Sequence, residues 1–399
     1  MLSRRLRVSI APLLVALART ATPPSYAGKF GMGIYNDSLR PTPLDAQLPV
    51  VANLTGSSTS DGAGGWVVLY FYGDDYYNAS AGPRAFQVAA LAQALALNLR
   101  PVLRLEGGGP RPWRDLADDA PASFRNFSTF AANYARWVSA LVLAGAPGRA
   151  ADVVAMYGNE VNICVEYGCD DGPSVWVNAS ERAAEWGSLT RDIGRALRAA
   201  GSGVSWAAAP LAPGGDGECQ CSGGGSRGGS TTTEWLAAAL AAAPDAFSLA
   251  THFAAHPYPS CCTEPLSSPC NSPPTWVAAA LNDRLQAVPS WATGAGHNAS
   301  AARAGAAFRM LVTETGFCGQ TGPAGEAAKA ASVVQAYEEV WGPEPAVAGV
   351  MHFALACQHW DVEGWTWARF NGTNQYWPDH LYELMPDYFA VQALARSTL

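Results

Sequence analysis

Val153-Val154-Ala155-Met156-Tyr157-Gly158-Asn159-Glu160-Val161-Asn162 joins a short apolar, β-rich run to a polar turn that carries a carboxylate. An unbroken apolar run of this length fits a strand buried on both faces, as in a parallel sheet. A second stretch has the same grammar: Phe308-Arg309-Met310-Leu311-Val312 leads into Thr313-Glu314-Thr315-Gly316. An acid placed where a buried parallel strand leaves the core is a common site of catalysis.

Similar runs recur at 30–35, 66–72, 101–105, 204–209, 247–254 and 348–355, which with 153–157 and 308–313 makes eight. Between them, Ala- and Leu-rich stretches with helical spacing cover 83–97, 124–143, 180–200, 233–243, 275–288 and 326–341, and a last helix is expected near 387–396. Strict strand–helix alternation requires parallel strands joined by right-handed crossovers, in a closed barrel or an open doubly wound sheet. Eight repeats favour an α/β fold of the (β/α)8 TIM-barrel type. The 399 residues, 49% hydrophobic and 15% charged, suffice for one such barrel with insertions, and no second module stands out.

Several function classes are excluded or disfavoured. A nucleotide-binding open sheet needs a Gly-rich turn between its first strand and helix. Here Gly31 and Gly33 lie inside the first run, and Gly107-Gly108-Gly109 is followed by Pro110 and Pro112, so no phosphate cradle and no cofactor is indicated. With 25 basic against 33 acidic residues the net charge is −8, and no basic run follows the extreme N-terminus, which argues against nucleic acid as a partner. A neutral polymer is compatible with this charge.

Residues 1–27 read as a secretory signal peptide. Arg4, Arg5 and Arg7 precede the apolar run 8–18, and Ser25-Tyr26-Ala27 supplies small residues for cleavage after Ala27; an uncleaved signal anchor is the alternative. Cleavage leaves residues 28–399 as the folded chain, and no later segment approaches the ~20 apolar residues of a membrane span. Seven Asn-X-Ser/Thr sites, at Asn36, Asn53, Asn78, Asn126, Asn178, Asn298 and Asn371, suit an N-glycosylated protein of the secretory pathway or cell exterior. Nine cysteines, none before Cys164, each follow the C-terminal end of an apolar run. That placement predicts disulfides bracing long loops on one face, with Cys318–Cys357 the first pair to expect. A metal site built from Cys261, Cys262, His252 and His256 competes, but no paired C-x-x-C spacing supports it, so no metal is expected.

If the chain closes into a barrel, its mouth carries what stands at the C-terminal strand ends. Those residues are Arg104 and Glu106 after the third run, Asn159 and Glu160 after the fourth, His256 and Tyr258 after the sixth, and Glu314 after the seventh. Glu106, set among glycines, reads as structural. The fourth and seventh strands stand nearly opposite in a ring of eight, so Glu160 and Glu314 are expected to face each other. Paired carboxyls suit glycosidic bond chemistry, where one acid protonates the leaving oxygen and the other attacks or activates water. A separation of about 5 to 5.5 Å signals retention and one of about 6.5 to 9.5 Å inversion.

The pattern resembles the clan A glycoside hydrolases, the (β/α)8 superfamily with catalytic glutamates after strands four and seven. The resemblance spans residues 29–399 and implies Glu160 as acid/base, Asn159 on the 2-hydroxyl of the sugar, and Glu314 as nucleophile. Many members carry His-X-Tyr after strand six, matched by His256-Pro257-Tyr258, with the tyrosine hydroxyl near the nucleophile. Three departures stand out. Val161 replaces a frequent proline, although Asn162 keeps an Asn-Glu-X-Asn form; the arginine beneath the nucleophile, Arg104, comes from strand three instead of two; and the tryptophan flooring the subsite is Trp360 or Trp365, several residues past strand eight.

The resemblance implies a secreted, monomeric, cofactor-free retaining glycosidase acting on a β-linked poly- or oligosaccharide. Its two acids need opposite environments, with Glu160 keeping its proton and Glu314 held ionised by Arg104 and Tyr258. A wall-remodelling transglycosidase and an inactive carbohydrate-binding barrel share these residues. His256 has two readings, a loop support through a hydrogen bond or a direct sugar contact. Aromatics such as Tyr70, Tyr72, Trp113, Trp367 and Trp377 are either core or stacking surfaces for pyranose rings.

Overall fold

The computed structural model describes residues 28–35, 44–57, 64–72, 82–106, 127–162, 179–211, 232–247, 249–258, 309–317, 322–355, 367–370 and 382–397. Eight strands follow one another in chain order: β1 (Phe30–Tyr35), β2 (Gly65–Tyr72), β3 (Leu99–Glu106), β4 (Val154–Tyr157), β5 (Ser205–Leu211), β6 (His252–Ala255), β7 (Arg309–Val312) and β8 (Val347–His352). Each pairs in parallel with the next, and β1 also pairs with β8, so the sheet closes into a barrel without an edge. The (β/α)8 expectation is met.

Residues alternate between two cores, as the period of two in a strand requires. Trp66, Val68, Tyr70, Val102, Val154, Met156, Ala207, Ala254, Leu311 and Met351 fill the barrel, while Val67, Leu69, Phe71, Leu103, Ala155 and Val312 face the helices. Because both faces are buried, the strands read as continuous apolar runs and not as alternating ones. Trp66 plugs one end, its Nε1 donating to the carbonyls of Gly28 (2.9 Å) and Ala348 (3.0 Å). A Cβ at Gly349 would lie 2.6 Å from the Trp66 ring, so that neighbour has no room for a side chain.

The helices among the described residues are α1 (Leu44–Thr55), α2 (Ala85–Ala96), α3 (Phe127–Gly145), α4 (Ala179–Ala199), α5 (Thr232–Ala242), α6 (Gly322–Ala336) and α7 (Pro386–Ser397). On α3 the buried Phe130, Tyr134, Trp137, Val138 and Leu141 form the expected stripe. α6 runs into a π-helical turn, Tyr337–Trp341, whose end is capped by Lys29. Its ammonium donates to the carbonyls of Trp341 (2.9 Å), Gly342 (2.8 Å) and Glu344 (2.9 Å). Burial lowers the Lys29 pKa to about 8, against the opposing pull of Glu344. α7 is tied to α6 by a buried ion pair, Lys329 Nζ to Asp387 Oδ2 at 2.8 Å.

Three details differ from the sequence reading. α1 was not anticipated, and it carries Pro49 in its interior. Its buried Leu44, Leu48, Val51 and Leu54 are each worth about 1.5–3 kcal/mol, which outweighs the ~3 kcal/mol cost of an interior proline. The sixth strand starts at His252 and not at 247, since its register is set by His252 pairing with both Ala207 and Arg309 while residues 244–247 turn. A two-stranded antiparallel ribbon, β9 (Ala368–Phe370) with β10 (Tyr382–Leu384), was also missed.

The expected leader 1–27, all nine cysteines and their disulfides, the helix at 275–288, the segments 212–231 and 259–274 that follow β5 and β6, and every sequon except Asn53 lie outside the described residues. Asn53 is a sequon by pattern but sits within α1, its amide donating to Tyr388 Oη (3.3 Å) and accepting from Arg396 (3.0 Å). Among the described residues no helix is long and apolar enough to cross a membrane.

Candidate active site

The turn after β4 bends through two left-handed residues, Gly158 at φ 91° and Glu160 at φ 35°. A non-glycine residue there costs about 1–3 kcal/mol, and the buried Val161 and Asn162 that follow hold the turn in place. Glu314 lies two residues beyond β7, between Thr313 and Thr315, all three buried. Thr315 Oγ1 donates to the Pro257 carbonyl (2.9 Å), and the Thr313 amide donates to the Ala255 carbonyl (3.1 Å). These bonds lock the ends of β6 and β7 together and set His256-Pro257-Tyr258 beside Glu314.

Glu314 is the hub. Arg104, inward-facing on β3 and 2% exposed, reaches across the barrel to pair with Oε1. The Tyr70 hydroxyl, from β2, donates to the same oxygen at 3.1 Å. The Tyr258 hydroxyl donates to Oε2 at 2.7 Å. Burial, then the charges of Glu314 and Glu160, push the Tyr258 pKa well above its ordinary value, so it stays a donor.

His256 links the two acids. Its Nδ1 is 3.0 Å from Glu160 Oε1 and 3.5 Å from Glu314 Oε2, while Nε2 is 3.0 Å from Thr313 Oγ1. With both acids ionised their oxygens only accept, so the proton sits on Nδ1 and Nε2 accepts from the Thr313 hydroxyl; when Glu160 is protonated on Oε2, its Oε1 still accepts from Nδ1. One oxygen from each acid and the ring nitrogen all lie within 4.8 Å of one another. That trio is the one group of possible metal ligands among the described residues, but Arg104 already neutralises Glu314 and Nδ1 would have to lose its proton to bind a cation.

The structure thus brings together Glu160, Glu314, Arg104, His256 and Tyr258. Asn159 lies in the same turn, and its buried Oδ1 has no partner among the described residues. Trp360 and Trp365 fall outside the described residues. Trp367, a candidate stacking surface, is instead fully buried with its ring 4.3 Å from that of His352. Two contributors were not anticipated as ligands of the acids and their histidine, Tyr70 and Thr313. Tyr70 stands in an apolar run whose inward and outward faces look alike, and Thr313 looks like an ordinary strand residue.

No family model matches the chain, and no curated protein matches it. Solved structures do. A family 39 glycoside hydrolase from the gut symbiont Bacteroides cellulosilyticus WH2 aligns at TM-score 0.56 and 10% identity, over 92% of this chain and 63% of the other. The chain therefore spans less than two thirds of that protein. A family 39 β-xylosidase from Caulobacter crescentus aligns at 0.55 and 13% identity, over 95% of this chain and 73% of the other. A family 5 glycoside hydrolase from Prevotella bryantii B14 aligns at 0.52 and 11% identity, over 93% and 96%. What these proteins share with the present chain is the (β/α)8 fold.

Proposed function

We propose that the chain is a retaining glycoside hydrolase of the clan A type, acting on a β-linked poly- or oligosaccharide. The observation that carries the reading is the approach of Glu160 and Glu314 from opposite sides of the ring to within 4.8 Å, oxygen to oxygen. That spacing sits with the ~5–5.5 Å of retaining enzymes and leaves no room for the water of an inverting one. The acids also differ in surroundings. Glu314 is ligated by a guanidinium and two hydroxyls, whereas Glu160 meets the imidazole of His256.

In this reading Glu314 attacks the anomeric carbon while Glu160 protonates the departing oxygen, and Glu160 then takes a proton from the water that releases the sugar. Asn159, with its unpartnered amide oxygen, is placed to accept from a sugar hydroxyl. Trp360 or Trp365 would floor the subsite. The fold neighbours, a β-xylosidase among them, support a glycosidase. Secretion after removal of residues 1–27, N-glycosylation and a monomeric state belong to the same proposal.

A panel of chromogenic β-glycosides and purified glycans tests it. Glu314→Gln is expected to abolish turnover while sugar binding persists, and proton NMR of the first product is expected to show the starting anomer. Unchanged activity in that variant, or an inverted product, overturns the mechanism. Addition of excess acceptor sugar distinguishes hydrolysis from transglycosylation.

A further inference from the structure

The two oxygens of Glu314 are held differently. Oε1 receives Arg104 and the Tyr70 hydroxyl, whereas Oε2 receives the Tyr258 hydroxyl and faces His256 Nδ1 at 3.5 Å. The same nitrogen is 3.0 Å from Glu160 Oε1, so Oε2 is the oxygen on the Glu160 side. A bond gripped between the two acids meets Oε2. When a carboxylate attacks, the attacking oxygen becomes an ester oxygen and loses acceptor strength, while the other becomes the carbonyl oxygen and keeps it. A guanidinium and a hydroxyl on one oxygen therefore suit the carbonyl role.

Resting on the glycosidase reading, we infer that Tyr70 is a positioning residue for Glu314: with Arg104 it fixes Oε1 as the carbonyl oxygen of the glycosyl-enzyme and leaves Oε2 to attack. Oε2 supplies the electron pair for the new bond to the anomeric carbon. The bond to the leaving oxygen breaks, its pair stays on that oxygen, and the proton of Glu160 moves there. In the second half Glu160 removes a proton from water, the water oxygen bonds to the anomeric carbon, and the pair of the broken ester bond returns to Glu314. Oε1 keeps both donors throughout.

Three adjacent strands build this grip. Tyr70 and Arg104 are register partners on β2 and β3, and the guanidinium carbon lies 4.7 Å from the centre of the tyrosine ring. The ring meets Phe353 edge-on at 6.4 Å. From β1, Gly33 supplies space, since a Cβ there would stand 2.9 Å from the Tyr70 hydroxyl and 3.0 Å from Cε2. Tyr70 is 1% exposed, too deep to meet a sugar, so it acts through Glu314.

Steady-state kinetics on a dinitrophenyl β-glycoside, for the wild type, Tyr70→Phe, Gly33→Ala and the double variant, test the inference. Tyr70→Phe is expected to lower kcat about 10- to 100-fold with KM nearly unchanged. Gly33→Ala is expected to reproduce the loss by displacing the hydroxyl, and to add little once that hydroxyl is gone. A wild-type kcat in Tyr70→Phe, or additive losses in the double variant, overturn the assignment. If Tyr70→Phe fails to fold, Gly33→Ala decides alone, a wild-type kcat counting against. A reading without turnover comes from carbon-13-labelled glutamate, the Glu314 carboxyl resonance being assigned by its loss in Glu314→Gln. It is expected to shift in Tyr70→Phe, and an unmoved resonance sinks the inference. A wild type that cleaves no glycoside would defeat the hydrolase reading, while the resonance would still decide whether Tyr70 holds Glu314.

Discussion

Glu160 occupies left-handed backbone at φ 35°, and among the described non-glycine residues only Asn98 shares that region. That turn carries its carboxyl to His256, whose ring is held on the other side by the Thr313 hydroxyl. Thr313→Val keeps the shape but leaves Nε2 a buried acceptor without its donor, a penalty of about 1–3 kcal/mol, and frees the ring to turn away from Glu160. We expect kcat to fall about tenfold with little change in KM, measured on an aryl glycoside; an unchanged kcat would show that Thr313 does not position His256. Both acids were legible in the sequence because each closes an apolar run. Arg104, which meets Glu314 from 210 positions away, entered with Tyr258 as a partner of that acid only through the resemblance, and nothing in the run 66–72 marks Tyr70 as facing inward.

Helix packing shows the same limits of local reading. α1 exists in spite of Pro49 because its buried face decides, and Phe247, Leu249 and Ala250 are not strand, the pairing of β6 with both neighbours beginning at His252. α7 was expected from its spacing, but the ion pair that seats it joins positions on two separate helices. Asp387 Oδ1 also accepts from the Tyr388 amide at 3.1 Å, so it serves the start of α7 as well as Lys329. Burial raises the Asp387 pKa even with Lys329 at 2.8 Å, a sign that the pair recovers only part of its desolvation cost. Lys329→Met alone is expected to destabilise by about 3–5 kcal/mol in urea unfolding, because it leaves a buried carboxylate without its cation. Adding Asp387→Leu should restore most of the loss. A double variant as unstable as the single one would mean that the ions themselves are required.

The barrel as a whole was readable because eight similar runs alternate with helical spacing, a pattern that survives errors of a few residues at any one element. What composition could not disclose is the acid sensitivity of the closed ring. Burial, reinforced for His252 by Arg309 and Arg100 and for His352 by Lys329, lowers the pKa of His252 to about 4 and of His352 to about 3, from 6.5. Below 6.5 the unfolded chain takes up protons that the native chain refuses, so stability is complete above that pH and falls as pH drops toward 3–4. For the fully buried His352 the loss is on the order of a few kcal/mol. Urea midpoints compared between neutral and acidic buffer are expected to differ less for His352→Gln than for the wild type. Equal differences would remove His352 as the source.

The ammonium of Lys29 and the carbonyl of Gly28 belong to the first two described residues, yet they hold the end of a helical turn and the indole that stoppers the barrel. The cut after Ala27 proposed above spares both, whereas loss of a further two residues would strip three carbonyls of their cation and one tryptophan of an acceptor.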